Sequence, residues 1–245
     1  MKICIAQTRP FKGDIKKNCE AHLTFIEKAA ENNAEIIVFP ELSLTGYEPE
    51  LAKELATNID DKRFKIFQET ADTKNIIICL GIPLNSEHGV LISMLIFQPK
   101  KTLQVYSKQH LHSDEFEFFC AGNKQLFLEK ETDKIVFAIC YETSISKHTA
   151  FAKKNEANIY IASVLNYTEC IDKDLKRLSN IAKNNNMTVF MSNYVGISGG
   201  YNCAGKSAVW DQNGVLKAQL NEKDQGLLIY DTSKAEVLET IYFKN

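Results

Sequence analysis

The stretch NCEAHLTFIEKAAENNAEIIVF, residues 18–39, joins a helical pattern directly to a buried strand. Within Asn18–Ala34 the apolar residues recur at helical spacing, as Ala21, Phe25 and Ala29 show. Glu35–Phe39 follows as an apolar run, which is typical of a strand covered on both faces. A helix that leads into such a strand predicts a layered α/β protein.

The rest of the chain continues this alternation before adjacent strands take over. Further strands are predicted at Lys2–Ala6, Ile76–Ile82, Val90–Phe97, Thr102–Ser107, Gln125–Glu129, Lys134–Cys140, Ile159–Val164, Val189–Asn193, Ser207–Asp211, Val215–Leu220 and Gly226–Tyr230. Further helices are predicted at Leu51–Lys74, Ile145–Asn155 and Lys173–Asn186. Because no internal repeat or Ser/Gly linker interrupts the pattern, we expect a single domain over residues 1–245.

The composition excludes several classes of protein. The chain has 245 residues, of which 44% are hydrophobic, and a formal net charge of −2. A chain without a basic surplus is not expected to bind nucleic acid, and no apolar stretch approaches the roughly 20 residues that span a membrane. The seven cysteines cannot all pair, and the N-terminal segment lacks the apolar core of a signal peptide. We therefore expect free thiols and a cytoplasmic protein.

Three chemically active side chains each follow a predicted strand. Cys140 comes after IVFAI at 135–139, and a helix follows it, which favours thiolate chemistry. Glu41 comes just after the strand at 35–39, where burial would raise its pKa and suit it to act as a general base. Lys108 follows a strand and could stabilise an oxyanion. Each also has an ordinary interpretation, namely a packed cysteine, a hydrogen-bonded carboxylate and a solvated lysine.

Taken together, the segments around these residues resemble the nitrilase superfamily of carbon–nitrogen hydrolases. The resemblance is carried by VFPELSLTGY at 38–47, YSKQHL at 106–111 and FAICYE at 137–142. It continues in EFEFFCAG at 115–122, MSNYVG at 191–196 and GKSAVWDQNG at 205–214. These blocks occur in the family's order across almost the whole chain.

The resemblance implies a fold, an assembly and an active site. The fold is a four-layer αββα sandwich, and the assembly is a homodimer or a higher homo-oligomer. Cys140 is then the nucleophile, Glu41 the general base and Lys108 the stabiliser of the tetrahedral intermediate. A second family glutamate falls on Glu115, with Glu117 as the competing choice. The implied reaction needs no cofactor and no metal.

The implied function is cysteine-dependent hydrolysis of an amide or carbamoyl C–N bond in a small molecule, through a thioester acyl-enzyme. The residues expected around the pocket are Tyr47, Tyr141, Glu142, Asn166, Tyr167 and Asn193. Glu142 stands where the ω-amidase branches have Asp, and if it faces the pocket it would favour cationic or polar substrates. The alternatives are a catalytically silent binding or scaffold member of the same family, and nitrile hydrolysis, which the short segment after Gly226–Tyr230 disfavours.

Other patterns receive less weight. Residues 200–207, GYNCAGKS, match the phosphate-binding pattern G-x-x-x-x-G-K-[ST], but a strand rather than a helix is predicted to follow. His110 and His112 near Asp114 could hold a metal, and His148 follows Cys140 too closely for a typical Cys–His enzyme. The tail is too apolar for a free end, so we expect it to pack across a homodimer interface or onto the core. Its apolar residues are Val237, Leu238, Ile241, Tyr242 and Phe243.

Overall fold

The structure is a computed structural model that describes residues 1–243. Its strands are β1 Lys2–Gln7, β2 Ile36–Val38, β3 Ile77–Ser86, β4 Gly89–Phe97, β5 Gln104–Ser107, β6 Phe127–Lys130, β7 Asp133–Ile139, β8 Ile159–Ser163, β9 Thr188–Ser192, β10 Val195–Ser198, β11 Tyr201–Ala204, β12 Ala208–Trp210, β13 Leu216–Gln219, β14 Gln225–Asp231 and β15 Glu236–Phe243. Its α-helices are α1 Ile15–Glu31, α2 Ala52–Leu55, α3 Lys65–Lys74, α4 Ser146–Lys154 and α5 Ile171–Asn185.

The strands form two large sheets. One has the order β15-β14-β1-β2-β3-β4-β5, and the other has the order β13-β12-β9-β8-β7-β6. Each sheet contains three neighbouring parallel strands, β1, β2 and β3 in the first and β7, β8 and β9 in the second. A separate hairpin pairs β10 with β11. None of the helices within residues 1–243 is long and apolar enough to cross a membrane.

Helices cover the outer face of each sheet, which confirms the predicted αββα order of layers. Phe25 of α1 and Phe67 of α3 pack on the first sheet, and Leu178 of α5 packs on the second. The inner faces meet in a core that includes Val38 and Phe137, both without exposed surface. Burying side chains of this size contributes about 1.5–3 kcal/mol each, so the packed layers hold the strand ends in fixed positions.

Two buried serines join the sheets near the site. Ser163, the last residue of β8, donates from its hydroxyl to the carbonyl oxygen of Phe39 at 2.8 Å. Ser192, the last residue of β9, donates to the carbonyl oxygens of Ala6 and Val38 at 2.6 and 3.1 Å. These contacts set the carboxyl end of β2 against the carboxyl ends of β8 and β9. Side chains that follow these strands therefore meet between the sheets.

One prediction about local structure needs revision. The single helix predicted over Leu51–Lys74 is wrong, because Ala56 is extended and Thr57 bridges to Leu84. Only the last part of that range, α3, forms a regular helix of more than one turn.

The apolar tail forms β15, which pairs antiparallel with β14. Phe243 stacks on Phe25 at 4.2 Å between ring centroids, so this part of the tail packs onto the core. Leu238 and Ile241 pack on the same apolar core as Phe243, whereas the side chains of Val237 and Tyr242 are exposed.

Candidate active site

Glu41 lies two residues beyond Phe39, at the point where the chain leaves β2. Its side chain is fully buried. The carbonyl oxygen of Glu41 accepts a hydrogen bond from the Tyr194 hydroxyl at 2.7 Å, which fixes the backbone of the turn. The next residue, Leu42, has a φ of 53°, so the chain turns sharply here and the carboxylate points inward.

Lys108 follows β5 and is completely buried. Its ammonium donates to Glu41 Oε1 at 2.8 Å and to Glu115 Oε1 at 2.6 Å. Glu115 is held in turn, because its Oε2 accepts from the His112 backbone N–H at 2.7 Å and its Oε1 from the Tyr47 hydroxyl at 3.1 Å. The buried lysine therefore bridges two carboxylates, which gives each charge a partner where water cannot reach it.

This geometry separates the two glutamates that the sequence left open. Glu115 is buried and contacts Lys108, whereas Glu117 is exposed. Both lie in one short 3-10 turn, Glu115–Glu117, and residues two apart in such a turn point in different directions. Only Glu115 belongs to the charge cluster.

Cys140 is the first residue after β7 and begins a 3-10 turn, Cys140–Ser144. Its φ of 48° lies in the left-handed region, which is uncommon for a residue with a side chain and which is enriched at functional sites. The thiol donates to the Leu165 carbonyl oxygen, with 3.7 Å between sulfur and oxygen. This sharp turn presents the sulfur at the edge of the sheet, facing the end of β2.

Burial sets the protonation of these groups. It raises the pKa of Glu41, and the charge of Lys108 only partly offsets that rise. Burial also raises the pKa of the Cys140 thiol well above its ordinary value, and the nearby charge of Glu41 adds to the rise. Burial acts in the opposite direction on Lys108, but the negative charges of Glu41 and Glu115 outweigh it and raise the pKa of Lys108. At neutral pH the site therefore holds a neutral thiol beside an ammonium ion.

One oxygen in this cluster is unpaired. Among the described residues, Glu41 Oε2 is buried without a hydrogen-bond partner, while Oε1 accepts from Lys108. The Cys140 thiol is one of the groups that favour the charged form of Glu41. Glu41 thus has a free, buried oxygen in the cavity that holds the Cys140 thiol, and general-base activation of a nucleophile requires such an acceptor.

All of these side chains open into one cavity of about 380 Å³. Four of the six residues expected around the pocket line it, namely Tyr47, Tyr141, Asn166 and Tyr167. Aromatic contacts order its mouth, because Tyr167 stacks on Tyr201 at 4.9 Å and His112 meets Tyr141 edge-on at 5.0 Å. The other lining residues are Glu41, Lys108, Asp114, Glu115, Cys140, Thr143, Ser144, Leu165, Cys170, Lys173, Asp174 and Arg177.

Glu142, one of the residues expected around the pocket, does not line the cavity. Its side chain has no exposed surface and lies behind the cavity. The 3-10 turn that starts at Cys140 rotates residue 142 back into the protein, where its carboxylate accepts hydrogen bonds. The premise for a preference for cationic substrates therefore fails.

Asn193 also lies outside the cavity wall. It is fully buried, and its amide donates to the carbonyl oxygens of Asn166 and Gly205 at 3.0 and 2.8 Å. Its own side-chain oxygen accepts from the Asn166 backbone N–H at 2.8 Å. Asn193 therefore holds Asn166, which does line the cavity, and does not itself face a ligand.

The sequence interpretation missed the contribution of α5 to the cavity. Lys173, Asp174 and Arg177 come from its first two turns. Arg177 donates to Asp174 at 2.6 Å and to the Thr143 hydroxyl at 3.4 Å, which brings α5 against the turn after Cys140. The available signal was the position of a predicted helix soon after β8, because loops at the carboxyl ends of parallel strands surround the ligand site.

The remaining patterns find structural explanations. The GYNCAGKS segment lies in β11 and the turn before β12, so no helix N-terminus cradles a phosphate there. His148 is buried in α4 between Tyr106 and Tyr160. Within residues 1–243, no group of three or more His, Cys, Asp or Glu side chains is arranged to hold a metal ion.

Comparison with known proteins agrees with this architecture. Residues 2–242 match the family model for carbon-nitrogen hydrolase. The chain is 28% identical over 204 residues to a glutamine-dependent NAD(+) synthetase of Acinetobacter baylyi, which covers 80% of this chain and 37% of that protein. It is 28% identical over 250 residues to a hydrolase in the agr operon of Staphylococcus aureus, with 97% and 93% of the two chains covered.

Among solved structures, the NitN amidase from Nesterenkonia sp. AN1 superposes with a TM-score of 0.88 at 20% identity. The match covers 97% of this chain and 95% of the amidase, and it shows the shared fold. The chain spans only about a third of the length of the NAD(+) synthetase that it matches. By the family match over almost all of its described residues, the chain belongs to the carbon–nitrogen hydrolase family of enzymes.

Proposed function

We propose that this enzyme hydrolyses the carboxamide or carbamoyl C–N bond of a small molecule, with Cys140 as the nucleophile. The observation that carries the proposal is the buried Glu41–Lys108–Glu115 cluster, which shares one cavity with the Cys140 thiol. A buried lysine held by two carboxylates supplies a fixed positive charge, and the free oxygen of Glu41 supplies a base.

The first half of the proposed reaction forms a thioester. Cys140 Sγ attacks the carbonyl carbon while its proton moves to Glu41 Oε2. The oxygen of the tetrahedral intermediate then faces the Lys108 ammonium and the backbone N–H of Tyr141. When the C–N bond breaks, Glu41 returns the proton to the leaving nitrogen, and ammonia or an amine departs.

The second half regenerates the enzyme. A water molecule enters the place vacated by ammonia, and Glu41 takes one of its protons as the oxygen attacks the thioester. Collapse of the second intermediate releases a carboxylic acid, and the thiolate recovers its proton from Glu41. The raised pKa of Glu41 suits this role, because a base whose pKa lies closer to neutrality can both accept and return a proton.

The cavity also supports a proposal about the substrate. Its volume of about 380 Å³ fits a small molecule. Lys173 and Arg177 line the side formed by α5, while Asp114 and Asp174 also line the wall. A substrate with a terminal carboxamide and a charged far end, as in glutamine, would place its carboxylate near the two cations. The similarity to a glutamine-dependent synthetase supports the same class.

A panel of small amides tests this function. The panel contains glutamine, asparagine, an uncharged aliphatic amide, an N-carbamoyl amino acid and a nitrile, and ammonia release is measured. We expect Cys140→Ala to lower turnover of the preferred amide by more than about a thousandfold, because nucleophile removal leaves only binding and the oxyanion site. Circular dichroism should show that the variant remains folded.

Cys19→Ala is the matched control. Cys19 lies on α1 and packs against the apolar core between α1 and the first sheet, and it does not line the cavity. This variant should keep wild-type turnover. Wild-type ammonia release by Cys140→Ala would contradict the assignment of the nucleophile, and a panel in which only the nitrile reacts would contradict the reaction class.

A further inference from the structure

Glu142 is a fully buried carboxylate that takes no direct part in the proposed reaction. Four donors satisfy it. Glu142 Oε1 accepts from the backbone N–H groups of Gln109 at 2.7 Å and His110 at 3.4 Å. Glu142 Oε2 accepts from the Ile139 backbone N–H and from the Tyr106 hydroxyl, both at 2.8 Å. These four hydrogen bonds fix the position of the buried carboxylate and of the groups that donate to it.

The four donors belong to the two segments that carry the reacting groups. Gln109 and His110 directly follow Lys108, and Ile139 directly precedes Cys140. Lys108 comes from the first sheet and Cys140 from the second. Glu142 therefore links the end of β5 to the end of β7 immediately behind the lysine and the thiol.

A buried chain of hydrogen bonds supports this link from the other side. The Tyr106 hydroxyl lies 3.2 Å from His148 Nε2, and His148 Nδ1 lies 3.1 Å from the Tyr160 hydroxyl. Because Tyr106 donates to Glu142, its oxygen can accept from His148 Nε2–H, and Tyr160 can donate to Nδ1. A neutral His148 satisfies both tyrosine hydroxyls, and burial lowers the pKa of His148 in agreement with that form.

We propose that Glu142 is a positioning residue that holds the Lys108 ammonium and the Cys140 thiol at their working separation. This inference rests on the proposed function of that pair. The Glu142 carboxylate accepts hydrogen bonds from both segments at once. A glutamine keeps the length, but both Glu142 oxygens face at least one peptide N–H, so its NH₂ group must oppose a donor.

The test measures kcat and KM of Glu142→Gln with the preferred amide, together with the rate at which iodoacetamide alkylates Cys140. Turnover is expressed per active site, counted as the Cys140 that iodoacetamide can alkylate. We expect this kcat to fall at least tenfold, since small misplacements cost large rate factors. KM should stay within about twofold, since Glu142 is outside the cavity. Alkylation should slow by a comparable factor. A role in general stability alone would lower the amount of folded protein without changing kcat per site.

Asp231→Asn is the matched control, because Asp231 is another buried carboxylate, held by Ser233 at the end of β14. It should lower stability and leave kcat unchanged. If Glu142→Gln does not fold, Tyr106→Phe removes one donor and keeps the carboxylate, and we expect about a threefold to tenfold loss of kcat.

The outcomes separate this inference from the proposed function. A Cys140→Ala variant that keeps wild-type turnover of the preferred amide would overturn the proposed function, and the inference with it. If Cys140→Ala is inactive but Glu142→Gln keeps the wild-type kcat and the wild-type rate of Cys140 alkylation, or changes only KM, the inference alone is overturned. For the fallback variant, an unchanged kcat in Tyr106→Phe would also overturn it.

Discussion

At the scale of single residues, the site depends on an imbalance of buried charge. Lys108 contacts two carboxylates, and one of them, Glu41, keeps an oxygen free. Removing either partner from a buried ion pair leaves an uncompensated charge, which costs about 3–5 kcal/mol. The same imbalance raises the pKa of Glu41, because Glu115 adds a negative charge to the effect of burial. Stability and proton affinity in this site are therefore controlled by the same three side chains.

This coupling predicts the pH dependence of the reaction. Glu41 acts as a base only when deprotonated, so kcat/KM should rise with pH through a limb displaced upward from the ordinary carboxyl pKa of 4.5. In Glu115→Gln one charge that raises the Glu41 pKa is lost, and the limb should move to lower pH while kcat also falls. The measurement is kcat/KM from pH 4 to 9.

The exposed Glu117 provides the control, since Glu117→Gln should leave the acid limb of the pH profile in place. An acid limb that moves to higher pH in Glu115→Gln would contradict this account.

At the scale of elements, the turn after β2 depends on the neighbouring strand β3. A Cβ added at Gly81 would lie 2.2 Å from the Leu42 backbone nitrogen, closer than atoms can approach. Gly81 also donates from its N–H to the Ser43 hydroxyl at 3.1 Å and accepts from the Leu44 N–H at 2.9 Å. The turn that directs Glu41 inward thus lies directly against a glycine backbone.

We predict that Gly81→Ala lowers both stability and activity. The methyl group must push Leu42 away, which costs about 1–3 kcal/mol or more, and the displacement moves Glu41 relative to Cys140. Thermal unfolding and kcat are the measurements, and kcat should fall at least tenfold, since small misplacements are costly in catalysis.

Gly214→Ala is the control for this experiment. Gly214 has a φ of 79° in the turn between β12 and β13. A Cβ there would lie 2.7 Å from the Ser179 carbonyl oxygen, on the part of α5 beyond the residues that line the cavity. The Gly214 substitution should lower stability by a similar amount, about 1–3 kcal/mol of backbone strain, and leave kcat unchanged. Equal losses of kcat in both variants would show that the effect of Gly81→Ala is not specific to the turn.

The elements also show what the sequence could and could not predict. Apolar runs identified the buried strands, since a strand covered on both faces has few polar residues. The hydrogen bonds that break Leu51–Lys74 and the pairing that makes β15 come from distant residues, which local periodicity does not report. Family blocks located Glu41, Lys108 and Cys140, which the fold brings together. They could not indicate that Glu142 points away from the cavity, because its direction depends on a single 3-10 turn.

At the scale of the whole molecule, the first and last described elements pack together. The β1 strand pairs with β14, and β14 pairs with β15 at the edge of the first sheet. The α1 helix covers this region and contacts β15 through Phe25 and Phe243. Because β1 lies beside β2, which leads to Glu41, the tail extends and stabilises the same sheet that carries the proposed general base.

Phe243→Ala tests whether the tail stabilises the molecule through this contact. The ring is partly buried and stacks on Phe25, so its removal should lower the free energy of unfolding by about 1–3 kcal/mol through lost burial and lost aromatic contact. Val237→Ala is the matched change on the same strand, and because Val237 is 37% exposed it should cost less than about 0.5 kcal/mol.

Denaturant unfolding measures the stability of both variants. The kcat of the folded fraction should stay at the wild-type value, since Phe243 lies on the outer face of the first sheet. Equal stability of the two variants would show that the tail contributes by backbone pairing with β14 alone.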